Sequence, residues 1–134
     1  MSTPRYSESS KQRLATAHPN LQKVFNHVLQ LGFDHGILEG WRSAEDQAEY
    51  FRTGASRVRV SKHNSSPSLA VDARPYVPGL GYPEEHIYFY KFAGVVLCAA
   101  AHFGICIRWG GDWDSDRDLE DQEFMDMVHF ELVL

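Results

Sequence analysis

The sequence predicts one α+β domain, a small and mainly antiparallel sheet packed against helices. Three observations carry this. The 134 residues suffice for one domain and leave little room for a second, so residues 1–134 are read as a single unit. With 43% hydrophobic and 23% charged residues, the chain can bury a core without staples. Helical and strand periodicities follow one another as α–β–α–β–α–β–β, an order that suits helices set against an antiparallel sheet.

The elements are justified in turn. Leu14, Leu21, Val24, Phe25, Val28 and Leu31 recur at helical spacing over residues 9–31. Pro19 interrupts that run and predicts a break or a second helix, and Gly32 stops it. Residues 36–41 read as a short strand. Ser43 is the expected N-cap of a helix ending at Gly54. Residues 55–69 form a loop rich in Ser, Arg and Lys, followed by a buried strand over 69–73 that Pro75 and Pro78 end. Pro83 is expected to open the longest helix, over 84–103, with Gly104 just past it. A strand over 105–109 is broken by Gly110-Gly111. The last strand, 128–133, places His129 and Glu131 on one face and Phe130 and Leu132 on the other.

The net charge of −5 is a poor match for non-specific nucleic-acid binding. It is also uneven, because residues 112–126 hold eight acids against one base. The most apolar stretch, Phe92 to Ile107, is shorter than the roughly 20 residues of a membrane span. Met1 to Glu8 lacks the basic-then-apolar layout of a secretory signal, so the expectation is a protein made in the cytoplasm. Cys98 and Cys106 are too few for a disulfide framework and are read as buried, reduced core thiols.

Most of the seven histidines have ordinary readings. His18, His27, His35 and His86 fall on polar faces or in turns, and His102 shares a helix face with Cys98. His63 and His129 stand apart. His63 lies in a turn-rich loop that runs into an apolar strand ending in Asp72, and His129 follows Asp126 by three residues at the head of a hydrophobic strand. Catalytic zinc commonly takes three His or carboxylate ligands and keeps a fourth position open. His63, Asp72 and His129 would supply that set, with Asp126 left as general base. The other reading is two loops that happen to contain histidine.

The pattern Ser61-x-His63, Ala70-Val71-Asp72, then Asp126-x-x-His129-Phe130-Glu131 resembles the zinc peptidases that include D-alanyl-D-alanine carboxypeptidases and dipeptidases. Phage L-alanyl-D-glutamate endopeptidases belong to the same group. Gly40-Trp41-Arg42-Ser43 with Gln47, and Trp109-Gly110-Gly111-Asp112-Trp113, extend the resemblance over residues 36–134. The single-domain size is most similar to phage endolysins. One departure stands out: eight residues separate His63 from Asp72 where the family has six, with Ser65-Ser66-Pro67-Ser68 in the turn.

The resemblance implies a hedgehog/D-Ala-D-Ala-peptidase-like fold with zinc on His63, Asp72 and His129. It implies that Asp126 moves the proton of the attacking water. Arg42 would hold the oxyanion or a substrate carboxylate. Ser61 and Gln47 become expected contacts of the substrate or of the residues that hold the site, and Trp109 and Trp113 line the cleft or pack in the core.

The acidic segment has its own pattern. Asp112, Asp114, Asp116, Asp118, Glu120 and Glu123 fall at positions 1, 3, 5, 7, 9 and 12 of an EF-hand calcium frame. Arg117 stands where that frame needs Gly, at a cost on the order of 1 kcal/mol.

The expected function is a peptidoglycan endopeptidase that cuts the L-alanyl-D-glutamate bond of the stem peptide during phage lysis. It would act as a monomer with no nucleic-acid or membrane partner and would reach the wall from the host cytoplasm through a separate membrane pore. Two other readings are a D,D-carboxypeptidase or dipeptidase of wall maturation, and a non-catalytic, metal-dependent wall-binding module.

Overall fold

A computed structural model describes residues 3–112 and 126–134. Helices α1 (Glu8–Ala15) and α2 (Pro19–Gln30) replace the first helical run, broken at Pro19 as its sequence requires. Strand β1 (His35–Glu39) leads to α3 (Ala44–Thr53), and a 3-10 turn (Lys62–Asn64) precedes β2 (Ala70–Pro75). Helix α4 (His86–His102), β3 (Ile107–Gly110) and β4 (Asp126–Leu132) complete the described elements.

Several expected boundaries move. Pro75 closes β2 instead of following it, because the last rung can do without an N–H. Helix α4 is capped at Glu85, so Pro83 precedes its entry. Gly110 belongs to β3, and β4 starts at Asp126 because Gly110 and Asp126 pair across an irregularity in the ladder. A Cβ on Gly110 would lie 2.1 Å from the Asp126 carbonyl oxygen, so only glycine allows that approach.

The sheet runs β1-β2-β4-β3 and every pair is antiparallel. Its core face carries Ile37, Val71, Ala73, Ile107, Trp109, Phe130 and Leu132, all buried. Helices α2 and α4 contribute to the same core, and Phe25 and Phe92 meet Phe130 edge-on at 5.6 and 5.9 Å. The buried residues of α4 are Phe89, Phe92, Ala93, Val96, Ala99 and Ala100. Cys98 falls off that stripe and is exposed, as is Cys106, against the expectation of core thiols. Because α4 is apolar on nearly all sides, its periodicity does not reveal which face is covered.

Helix α1 lies along the outer edge of β1. The buried Ser10 hydroxyl accepts the Ile37 N–H (3.1 Å), and Arg13 donates to the Ile37 carbonyl (3.1 Å). His35, expected on a polar face or turn, is also buried: its Nδ1–H donates to the Phe33 carbonyl (2.8 Å) and its Nε2 meets the Tyr6 hydroxyl (2.5 Å).

Candidate metal centre and active-site cleft

The sheet face opposite the core holds the chemistry. His63 reaches it from the 3-10 turn, which a reciprocal cap fixes. The Ser61 hydroxyl accepts the His63 N–H (3.1 Å), and the Asn64 side chain accepts the Ser61 N–H (2.8 Å). The turn is fastened to the chain after β1, where Arg42 N–H donates to the His63 carbonyl (2.9 Å). Asp72 and His129 are direct cross-strand partners on β2 and β4. The longer loop between His63 and Asp72 does not part them. Its Ser68 is buried, donates to the Gly40 carbonyl (3.1 Å), and links by backbone bonds to Thr16 and His18.

Both imidazoles converge on one carboxylate oxygen. His63 Nε2 lies 3.0 Å and His129 Nδ1 3.2 Å from Asp72 Oδ1, and the three ligand atoms fall within 4.8 Å of one another. A tetrahedral ion with bonds near 2 Å has donor–donor edges of about 3.4 Å, so this N, N, O set matches the spacing and chemistry of a catalytic zinc. The far nitrogens are also held. His63 Nδ1–H donates to the Gly40 carbonyl (2.6 Å), and His129 Nε2–H donates to Glu131 Oε1 (2.9 Å). Each bond selects the tautomer that turns a lone pair toward the centre. Glu131 is held in turn by Lys62 Nζ at 3.2 Å.

The electrostatics follow from burial and these contacts. In the metal-free site burial alone would raise the Asp72 pKa, but hydrogen bonds from His129 and His63, donated there through the nitrogens a metal would otherwise take, overcome it and hold the carboxyl well below the usual range. Burial works against a charged His129, yet Asp72 and Glu131 lift its pKa to about 9. Asp126 is pushed up, first by burial and then by the neighbouring charge of Asp72.

A cleft of about 610 Å³ lies over the centre. Asp126, Arg42, Ser61, Asp72 and His129 line it, so most of the sequence-derived site residues come together. Arg42 is buried. Its guanidinium grips Glu39 through Nε (3.0 Å) and Nη2 (2.7 Å), donates from Nη1 to Gln47 (2.7 Å), and comes within 3.5 Å of Asp72 Oδ2.

Gln47, expected at the substrate or behind the residues of the site, takes the second place: it is wholly buried behind Arg42, and its amide donates to Ser56 and to the Val58 carbonyl. Trp109 belongs to the core, donating to the Met127 carbonyl (2.8 Å). Asp112 is buried and its N–H donates to the Trp109 carbonyl (3.0 Å). Trp113, Asp114, Asp116, Asp118, Glu120 and Glu123 lie outside the described residues.

Three participants were given no role by the sequence: Glu131, Lys62 and Glu39. Glu131 was placed on the face of His129, two residues along the strand, and that placement was the signal for its contact with the ring. Glu39 and Lys62 gave none, since their partners are fixed only by the assembled sheet.

Comparison with known proteins agrees with this geometry. The family model described as phage L-alanyl-D-glutamate peptidase matches residues 1–133. The L-alanyl-D-glutamate peptidase of Escherichia phage T5 is 30% identical over 134 residues, covering 96% of this chain and 98% of the relative. The crystal structure of the Serratia marcescens L-Ala D-Glu endopeptidase ChiX superposes with a TM-score of 0.79 at 30% identity, covering 98% of this chain and 91% of that one. The LD-carboxypeptidase LdcB shares the fold, with a TM-score of 0.54 at 17% identity over 85% of this chain and 56% of its own. The chain therefore belongs to the phage L-alanyl-D-glutamate peptidase family.

Proposed function

We propose that this chain is a zinc-dependent peptidoglycan endopeptidase that hydrolyses the L-alanyl-D-glutamate bond of the stem peptide and serves in host-cell lysis. The observation that carries the reading is the convergence of His63, Asp72 and His129 in a cleft that also holds the carboxyl of Asp126. Zinc, when held by those three residues, supplies a Lewis acid that polarises water and the scissile carbonyl. Asp126 takes the proton of the attacking water and passes one to the leaving amine, a return step that its raised pKa assists. Arg42, already fixed by Glu39 and Gln47, is a preorganised cation for the charge that develops on the carbonyl or for a substrate carboxylate. Ser61 holds the backbone of His63 at the cleft wall, and Gln47 acts through Arg42.

The proposal extends to a monomer made in the host cytoplasm and reaching the wall through a separate membrane pore. The deciding experiment is digestion of purified peptidoglycan with mass analysis of the fragments, using metal-stripped and zinc-restored protein. New L-alanine carboxyl ends and D-glutamate amino ends, lost on stripping and regained with zinc, are expected. Release of terminal D-alanine alone would make it a carboxypeptidase. Wall binding without fragments would make it a binding module.

The acidic segment is proposed to take calcium, resting on the EF-type spacing from Asp112 to Glu123. Calorimetric titration with calcium, at constant zinc, should give heat with wild type and none with Asp114→Ala/Asp116→Ala. No heat from wild type would reduce the segment to solvated acids.

A further inference from the structure

We propose that Arg108 is a specificity-determining residue that binds the free carboxylate of the D-glutamyl residue next to the scissile bond. This rests on the peptidase reading above. Arg108 sits in the middle of β3, opposite Glu131 on β4, and lines the cleft. Its neighbours Ile107 and Trp109 point into the core, so strand alternation turns Arg108 to the face that carries His129 and Glu131.

Other cations of the cleft are engaged. Arg42 grips Glu39, and Lys62 pairs with Glu131. Glu131, the acid across the strand from Arg108, is thus held by Lys62 on one side and by His129 on the other. Among the described residues the Arg108 side chain has no hydrogen bond or ion pair partner, although the residue is half-buried. A partly desolvated guanidinium beside a reaction centre is a ready receptor for a planar anion.

The substrate class provides that anion. Whichever carboxyl of glutamate continues the peptide, the other stays ionised, and it lies only a few bonds from the amide that is cut. Arg108, one strand over from the metal ligand His129, is placed for it. The carboxylate would reach the guanidinium only in the orientation that also brings the scissile carbonyl to His63, Asp72 and His129. Recognition and alignment thereby become one event.

The test compares two synthetic stem peptides, one with D-glutamate and one in which its free carboxylate is a primary amide. Both are assayed with zinc-loaded wild type, Arg108→Gln, Arg108→Lys and Arg57→Gln. Arg57 is the other cleft-lining arginine outside the catalytic set. Wild type should prefer the carboxylate peptide by about 10- to 100-fold in kcat/KM, the range of a hydrogen bond to a charged group. The preference should appear in kcat as well as in KM, since the contact aligns the scissile carbonyl as well as binding the peptide. In Arg108→Gln the ratio should collapse toward one with zinc content intact, and Arg108→Lys should restore part of it. A ratio preserved in Arg108→Gln, lost instead in Arg57→Gln, or absent in wild type would overturn the assignment. If wild type cleaves neither peptide at the alanyl bond, the peptidase reading itself falls, and Arg108 with it.

Discussion

Two carboxylates on β4 flank His129, and they predict opposite signatures. Asp126 has its pKa raised by burial and by Asp72, while Glu131 is held by His129 and Lys62 with its pKa lowered. Asp126→Ala should retain zinc and lose turnover by about 10²–10⁴-fold, the usual range for a general base. Glu131→Gln should weaken zinc affinity by roughly 10–100-fold, as loss of an orienting partner does, with kcat largely regained at saturating zinc. Metal titration beside steady-state kinetics separates them, and a zinc-replete Asp126→Ala of wild-type rate would place the base elsewhere. At this scale the candidate metal triad was legible, because His63, Asp72 and His129 lie in or shortly before apolar strands that must be buried. The full burial of Gln47 was not. Its burial depends on loop 55–60 folding back over α3, and nothing in the local pattern encodes that.

At the scale of elements, the approach of β3 to β4 at Gly110 matters most. The Cβ of an alanine there would collide with the Asp126 backbone, so Gly110→Ala must push the start of β4 away from the sheet. His129, three residues on and paired to β2, has its own anchor. The expected phenotype is retained zinc and a fall in kcat approaching that of Asp126→Ala. Unchanged kcat would mean the strand relaxes without moving the base. The order of helices and strands was readable, because amphipathic runs and the Pro19, Gly32 and Gly54 punctuation are local, but the count was not: Pro19 left a break or a second helix open, and the 3-10 turn over Lys62–Asn64 lay in what read as a loop. Strand ends were less so. Pro75 and Gly110 read as terminators and proved to be the last residues of β2 and β3, since ladder pairing decides where a strand stops.

For the whole molecule, His35 couples stability to acid. Burial lowers its pKa to about 4, so the folded chain refuses a proton that the unfolded chain accepts near pH 6.5. This contribution is complete above about pH 6.5 and drains away as pH falls toward 4, on the order of 3 kcal/mol in all. Urea midpoints measured from pH 7 to 4 should fall for wild type and fall less for His35→Gln. Equal slopes would show that other groups dominate. No sequence cue separated His35 from His18 or His27, because its burial depends on Tyr6 and Phe92 arriving from distant segments.

Helix α1, laid along β1, bears on how copies of the chain behave toward one another. The Ile37 N–H and carbonyl face outward at the rim of the sheet, where an extended strand from another molecule could seek them. Ser10 and Arg13 occupy those two groups first. Removing both side chains in Ser10→Ala/Arg13→Ala leaves the rim open while touching nothing in the cleft. Sedimentation velocity should then show mass growing with concentration and time, with specific activity per remaining monomer unchanged. A double variant that sediments as wild type at every concentration would mean the helix body alone shields the rim. Crowded expression, and not catalysis, is where the loss of these two hydrogen bonds would first be felt.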